Sequence, residues 1–293
     1  MSSSKQKVVS SKQEIQGFRK KVWNFYKNNG RHDLPWRKTK DPYKILVSEV
    51  MLQQTQVERV LPFYKNFLKR FPTAKALAAA PLSEVLAAWQ GLGYNRRAKL
   101  LREAAHVLTQ KRGSAKLVTV AELEELPGVG PYTARAVAAF AYNTDIVCIE
   151  TNIRTAVIQH FFSGMKGLVN PTSDVGFTRP HTSGRVSDKE ILLILEKTLP
   201  KGRAREWYWA LMDYGSYLKR SGVRINARSA QYAKQPKFEG SLRQVRGAIL
   251  KALTAGETLT KIKKQYPDRF DAALAALTKD GLIKKRGRGW CVA

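Results

Sequence analysis

The sequence predicts a mainly α-helical protein that ends in a small appendage of short helices and a basic hairpin. Three observations carry this expectation. Apolar residues recur at helical spacing, interrupted at short intervals by glycine and proline, and no alternating strand pattern runs between residues 41 and 142. From Gly240 onward the helical stretches shorten and give way to a glycine-punctuated run of Lys and Arg. Hydrophobic residues make up 43% of the chain, enough for a packed core, which excludes a wholly disordered chain.

Residues 1–10 are rich in Ser and Lys and read as a basic flexible tail. Ile15, Phe18, Val22 and Phe25 are spaced for a helix from Glu14 to Tyr26. A polar stretch containing Leu34-Pro35-Trp36-Arg37 follows, and Asp41-Pro42 then supplies a cap with proline at the first helical position. Further short helices reach about Tyr142, broken at Phe71-Pro72, Ala80-Pro81, Gly91-Leu92-Gly93 and Pro127-Gly128. Residues 163–187, rich in Gly, Pro, Ser and Thr, read as a long loop or insertion. A helix from Arg203 to Lys219 precedes a basic irregular stretch that ends at Lys237. Over 237–293, short helices followed by Lys284-Lys285-Arg286-Gly287-Arg288-Gly289-Trp290 predict a winged-helix-like domain.

Charge and cysteine usage narrow the function. The 293 residues hold 52 Lys and Arg against 23 Asp and Glu, a formal net charge of +29. A surplus of that size points to a polyanionic partner. Cys148 and Cys291 are the only cysteines, which excludes a disulfide scaffold, a multi-cysteine zinc site and a four-cysteine iron–sulfur cluster. No cofactor and no metal are expected. No apolar run approaches membrane-spanning length and no apolar signal core opens the chain. The expectation is a cytoplasmic monomer without a membrane partner, nucleoid-associated if bacterial.

The sharpest local signal is Leu126-Pro127-Gly128-Val129-Gly130-Pro131-Tyr132-Thr133-Ala134. Thr119 and Glu122 form a capping box that opens a helix from Val120 to Leu126. Beyond the glycines, Ala134, Val137, Ala138 and Ala141 share one helical face. Helix, glycine turn and helix with small packing residues make a helix–hairpin–helix. Gly128, Val129 and Gly130 bring main-chain amides toward a DNA phosphate, and Thr133 lies in the first turn of the second helix. Such contacts hold DNA without reading its sequence.

Ser48-Glu49-Val50-Met51-Leu52-Gln53-Gln54-Thr55-Gln56-Val57, Gly91-Leu92-Gly93-Tyr94 and the Leu-Pro-Gly-Val-Gly hairpin follow one another in an order and spacing that resemble the adenine DNA glycosylase (MutY) family. That family belongs to the endonuclease III-like helix–hairpin–helix superfamily, and the resemblance spans roughly residues 22–215. It implies a two-lobed helix–hairpin–helix DNA glycosylase fold. One lobe would be the helical barrel over 41–142, and the other would join 11–40 to 143–236. The partner it implies is double-stranded DNA containing a mispair or lesion.

The resemblance places Glu49 as the general acid. Ile45 and Leu52 flank it on one helical face, and desolvation there would keep a proton on the carboxyl near neutral pH. Gln53 and Gln54 resemble the pair that enters the gap left by an extruded base, and Tyr94 the tyrosine wedged beside the lesion partner. Tyr132 stands where lyase members carry a Schiff-base lysine. A phenol forms no imine, which implies hydrolysis without strong lyase activity. Asn152 matches the asparagine that hydrogen-bonds within the active site.

Three features depart from the family. Its Asp-Gly-Asn is Glu150-Thr151-Asn152 here, so the carboxylate expected to stabilise a cationic sugar is one methylene longer; the lesser reading of Glu150 is a complement to a helix N-terminus. The first of four cluster cysteines would fall at Lys219, yet residues 219–237 hold none, and Lys219 and Arg220 open a basic loop suited to phosphate contacts. The C-terminal segment is too short for the Nudix-like domain that helps recognise 8-oxoguanine, and Lys284, Lys285 and Arg286 would meet DNA there instead. The reading is a monofunctional, clusterless DNA glycosylase of base-excision repair that removes adenine. A glycosylase for thymine or uracil opposite guanine or for alkylated adenine, and a non-catalytic DNA-binding repair protein, are the alternatives.

Overall fold

The computed structural model describes residues 11–110, 119–163, 185–225, 229, 237–287 and 289–293. The tail over 1–10, nearly all of 163–187, most of the basic stretch ending at Lys237 and Arg288 lie outside the described residues. In chain order the helices are α1 (Lys12–Asn29), α2 (Pro42–Leu52), α3 (Val57–Arg70), α4 (Ala74–Ala79), α5 (Leu82–Trp89), α6 (Arg96–Gln110), α7 (Val120–Glu124) and α8 (Pro131–Tyr142). They continue with α9 (Thr151–Phe161), α10 (Asp188–Thr198), α11 (Ala204–Arg220), α12 (Leu242–Thr254), α13 (Thr260–Gln265) and α14 (Pro267–Lys279). Strands β1 (Ile283–Arg286) and β2 (Gly289–Val292) pair antiparallel, with Ile283 opposite Val292.

Local chemistry sets the helix boundaries. Asp41 caps α2 by accepting the Tyr43 amide at 2.9 Å, with Pro42 at the first helical position. Thr119 and Glu122 bond reciprocally across the first turn of α7. That helix stops at Glu124, short of the expected Leu126, because the Leu126 amide turns back to the Leu123 carbonyl in a tighter turn. The helix expected from Glu14 to Tyr26 extends to Lys12–Asn29, since Ser11 caps it by accepting the Glu14 amide at 3.1 Å.

The chain forms two compact units, residues 1–33 with 138–234 and residues 34–137 with 235–293, and the boundary falls inside α8. In the first unit α11 packs along α9 and α1, and α10 against α1 and α9. Phe18, Val22, Ile153, Val157, Ile194, Trp207 and Leu211 are fully buried between them. The buried Asp213 of α11 accepts both the Arg31 amide at 2.8 Å and the Arg31 Nε at 2.6 Å, fastening the turn after α1. Removing one member of such a pair would strand the other and costs about 3–5 kcal/mol when fully buried.

In the second unit α6 packs against α2, α4 and α5, and α3 against α2 and α5, around Phe67, Trp89 and Leu101. The C-terminal segment builds into this same unit: α12 covers α5 on one side and α14 and β2 on another. Val245, Ile249, Phe270, Leu277 and Leu282 form its core. Strand β1 buries Ile283 and exposes Lys284, Lys285 and Arg286.

Candidate active site

Helix α2 is apolar along most of its length, with Ile45, Leu46, Val47, Val50 and Met51 all buried, and it carries Glu49 into this surrounding. Glu49 is 6% exposed, far less than a glutamate on an ordinary helix face. The hydroxyl of Tyr132, from the second position of α8, donates to Glu49 Oε2 at 3.1 Å. The helix–hairpin–helix therefore does more than offer amides: its second helix orients the buried carboxyl.

The end of α2 is shaped by Arg97 of α6. Its guanidinium donates to the carbonyls of Val50 at 2.8 Å and Met51 at 3.1 Å, to the carbonyl of Gln53, and to the carbonyl of Gly93 at 3.1 Å. One half-buried cation thus satisfies carbonyls left unpaired at the helix C-terminus and ties them to the turn that holds Tyr94. Burial lowers the Arg97 pKa to about 10, so the group stays charged at neutral pH. Beyond this cap Gln54 is exposed at φ 56, and the Gln53 amide donates to the Thr133 hydroxyl at 3.2 Å. Two residues expected to meet DNA thus bond to one another.

In the hairpin turn Gly128 has φ 76 and a Cβ there would lie 2.7 Å from Leu100 Cβ, so glycine is required on both counts. Val129 is buried and its amide donates to the Leu126 carbonyl at 3.0 Å, shaping the turn from inside. Gly128 and Gly130 are exposed.

The second carboxylate lies in the other unit. Glu150 is the N-cap of α9, with extended backbone, and its Oε1 accepts the amides of Asn152 at 2.7 Å and Ile153 at 3.0 Å. Its Oε2 accepts Asn152 Nδ2 at 3.2 Å. Loss of solvation is the largest influence and holds the Glu150 pKa above the usual carboxyl value, although these hydrogen bonds and the charge of Lys219 on α11 pull it part of the way down. The irregular segment leading to it is held by Tyr208, whose hydroxyl donates to the Ile146 carbonyl at 2.9 Å and accepts the Cys148 amide at 3.3 Å. Beneath the first turn of α9 lies Gly215 of α11, where a Cβ would sit 1.9 Å from the Asn152 carbonyl oxygen. Three hydrogen bonds hold both oxygens of this carboxyl in place, and its charged form is suited to a developing cation.

Cys148 is buried before α9 and Cys291 is on β2, and no group of three or more His, Cys, Asp or Glu among the described residues could hold a metal ion. Two cysteines do not supply a four-thiolate cluster. Arg97, Asp213 and Gly215 were missed as site-shaping residues. Arg97 is distinguishable from Arg96 only by its helical phase relative to Tyr94, and the other two act through partners distant in sequence.

Residues 47–175 match the HhH-GPD superfamily of base excision DNA repair proteins, which gives the class of the protein. The chain is 34% identical over 284 residues to the adenine DNA glycosylase of Mycolicibacterium smegmatis, with 89% of this chain and 91% of that protein covered. It is 35% identical over 264 residues to the adenine DNA glycosylase of Mycobacterium tuberculosis, with 86% of each covered. The chain belongs to the adenine DNA glycosylase family, whose members are DNA N-glycosylases. Among solved structures, a thermostable thymine-DNA glycosylase superposes with a TM-score of 0.57 at 26% identity, covering 70% of this chain and 87% of that one. An endonuclease III trapped covalently on DNA superposes with a TM-score of 0.55 at 20% identity, covering 71% and 88%, and shares the fold.

Proposed function

We propose that the protein is a monofunctional adenine DNA glycosylase that hydrolyses the N-glycosidic bond of adenine in a mispair. The observation that carries the reading is the buried Glu49 carboxyl with the Tyr132 hydroxyl donating to it at 3.1 Å. Glu49 protonates the departing base, with the Tyr132 hydroxyl orienting its carboxyl. Glu150, anchored by the α9 amides, stabilises the oxocarbenium-like sugar, and Asn152 holds its second oxygen. Water then completes the hydrolysis, because Tyr132 offers no amine for an imine.

Binding is assigned to residues around these groups. Gln53 and Gln54 enter the space of the extruded adenine, and Tyr94 wedges beside its partner. Exposed Gly128 and Gly130, with Val129 fixing the turn between them and the buried Thr133 bracing Gln53 beyond, meet the phosphate backbone. Lys219 and Arg220 at the end of α11, and Lys284, Lys285 and Arg286 on the C-terminal winged-helix-like segment, add phosphate contacts that a formal net charge of +29 favours. We take 11–40 with 143–236 and 41–142 as the two glycosylase lobes, with 237–293 as a segment built onto the second; the enzyme works as a monomer without an iron–sulfur cluster, and no described helix is long and apolar enough to cross a membrane.

A second reading, thymine opposite guanine, is favoured by the likeness to the thymine-DNA glycosylase structure. Duplexes carrying one adenine opposite 8-oxoguanine, guanine or cytosine, and one thymine or uracil opposite guanine, separate the two. Free adenine as the main product supports the proposal. Thymine release with intact adenine supports the second reading, and no released base overturns both.

A further inference from the structure

Tyr94 lies in the left-handed region at φ 49, a conformation that costs a non-glycine residue on the order of 1 kcal/mol or more. Its surroundings must therefore hold it there. Arg97 does so from within α6: its amide donates to the Tyr94 carbonyl at 2.9 Å and its guanidinium lies 5.4 Å from the ring centre. A second arginine reaches Tyr94 from the C-terminal segment, 149 residues away. Arg243 Nη1 donates to the Tyr94 hydroxyl at 2.6 Å, and its guanidinium carbon lies 5.5 Å from the ring centre. Phe238 flanks the same guanidinium at 5.9 Å.

The segment that carries Arg243 is anchored for this contact. One turn further along α12, Arg246 pairs with Asp280, which follows α14. The Asp280 carboxylate also faces Arg96 Nε at 3.6 Å, and its carbonyl accepts Lys99 Nζ at 3.1 Å. Arg96 and Lys99 belong to the first turn of α6, which begins two residues after Tyr94. The hydroxyl tip and the main chain of Tyr94 are thus fixed from one framework built of α6, α12 and the end of α14. Tyr94 remains only partly buried, so its ring is oriented without being withdrawn from a DNA stack.

We propose that Arg243 is a positioning residue through which the C-terminal segment sets Tyr94 for insertion beside the base opposite the target. The inference rests on the reading of Tyr94 as the wedge given under Proposed function. It assigns the C-terminal segment a part in handling the opposing base, in addition to phosphate contact. A guanidinium that donates to the phenol and faces its ring fixes the hydroxyl direction as well as the ring plane.

The test uses the full-length protein and a duplex with 2-aminopurine in the partner strand, one step from the base opposite adenine. Its fluorescence rises when the stack is opened, whether or not adenine is released. Arg243→Met keeps the aliphatic stem without the donor, Arg243→Lys keeps a donor, and Tyr94→Phe removes the acceptor. The expected result is that Arg243→Met and Tyr94→Phe each lose most of the fluorescence rise and about tenfold in single-turnover base release. Arg243→Lys recovers part of both, and the double variant is no worse than the worse single variant. Wild-type-like fluorescence and rate for Arg243→Met overturn the proposal. So do additive effects, or equal losses in Met and Lys variants that track a fall in melting temperature. If the wild type opens the stack but releases no base, the assigned chemistry fails while the fluorescence of the variants still decides the role of Arg243. If the wild type does not open the stack, the wedge and the proposal fall together.

Discussion

Replacing Gly215 by alanine should both loosen the fold and slow base release, although alanine is the better helix former. Gly215 lies within α11, where alanine gains up to about 1 kcal/mol over glycine from helix propensity. Against that, the new Cβ would lie 1.9 Å from the Asn152 carbonyl oxygen, 2.6 Å from its carbonyl carbon and 3.0 Å from its Cα. Ordinary contact begins at 3.4 Å, so α9 and α11 must separate by the difference, about 1.5 Å. The obstructing atoms are main chain and cannot rotate away. Overpacking of this kind costs about 1–3 kcal/mol, so the clash outweighs the propensity gain. The displaced residues include Asn152 and the α9 amides that hold Glu150, and a shift of about 1 Å at such groups lowers rates on the order of 100-fold. Urea denaturation and single-turnover base release measure the two effects. Gly17→Ala at an exposed position of α1, where a Cβ meets nothing within 4 Å, is the control and should stabilise by up to about 1 kcal/mol. A Gly215→Ala protein as stable and as fast as the wild type would refute the reasoning.

Three further outcomes are expected. Glu150→Asp should slow base release and Glu150→Gln should nearly stop it in single-turnover assays, because the three hydrogen bonds to Glu150 are built around its present length; a Gln variant as fast as wild type removes Glu150 from the mechanism. Glu150 acts ionised, so the rate falls as pH drops through its pKa, and removing the nearby positive charge in Lys219→Gln should raise that pKa and move the acid limb of the pH–rate profile to higher pH. An unmoved limb would show that Lys219 has no electrostatic hold on Glu150. Protein purified without oxygen should be colourless and hold no stoichiometric iron or sulfide by elemental analysis, since two cysteines cannot ligate a cluster; about four irons per chain would contradict this.

What could be read from the residues was local. The Asp41-Pro42 start of α2, the Thr119–Glu122 capping box and the hairpin glycines are each defined within a few residues, and each stands where the sequence puts it. The Tyr132–Glu49 bond joins positions 83 apart, and only the resemblance to a family brought those two residues together beforehand. Glu150 admitted two readings, a helix-terminal carboxylate and a group for the sugar cation. As the N-cap of α9 it satisfies the first, and the second is the role proposed for the carboxyl that those amides hold in place. Arg97, Asp213 and Arg243 were illegible because a basic or acidic residue on a helix looks solvated until its distant partner is known. The C-terminal segment was legible as short helices and a hairpin. Its packing on α5 and its reach to Tyr94 were not, because no pattern within it says which surface it covers.

The most direct test of the assigned chemistry is the release of free adenine from a duplex holding one adenine opposite 8-oxoguanine, compared between the wild type and Glu49→Gln. The amide keeps the shape of the side chain but has no carboxylic proton to donate. The account predicts adenine release by the wild type and none by Glu49→Gln, with duplex affinity nearly unchanged. Equal release by the two proteins would contradict it.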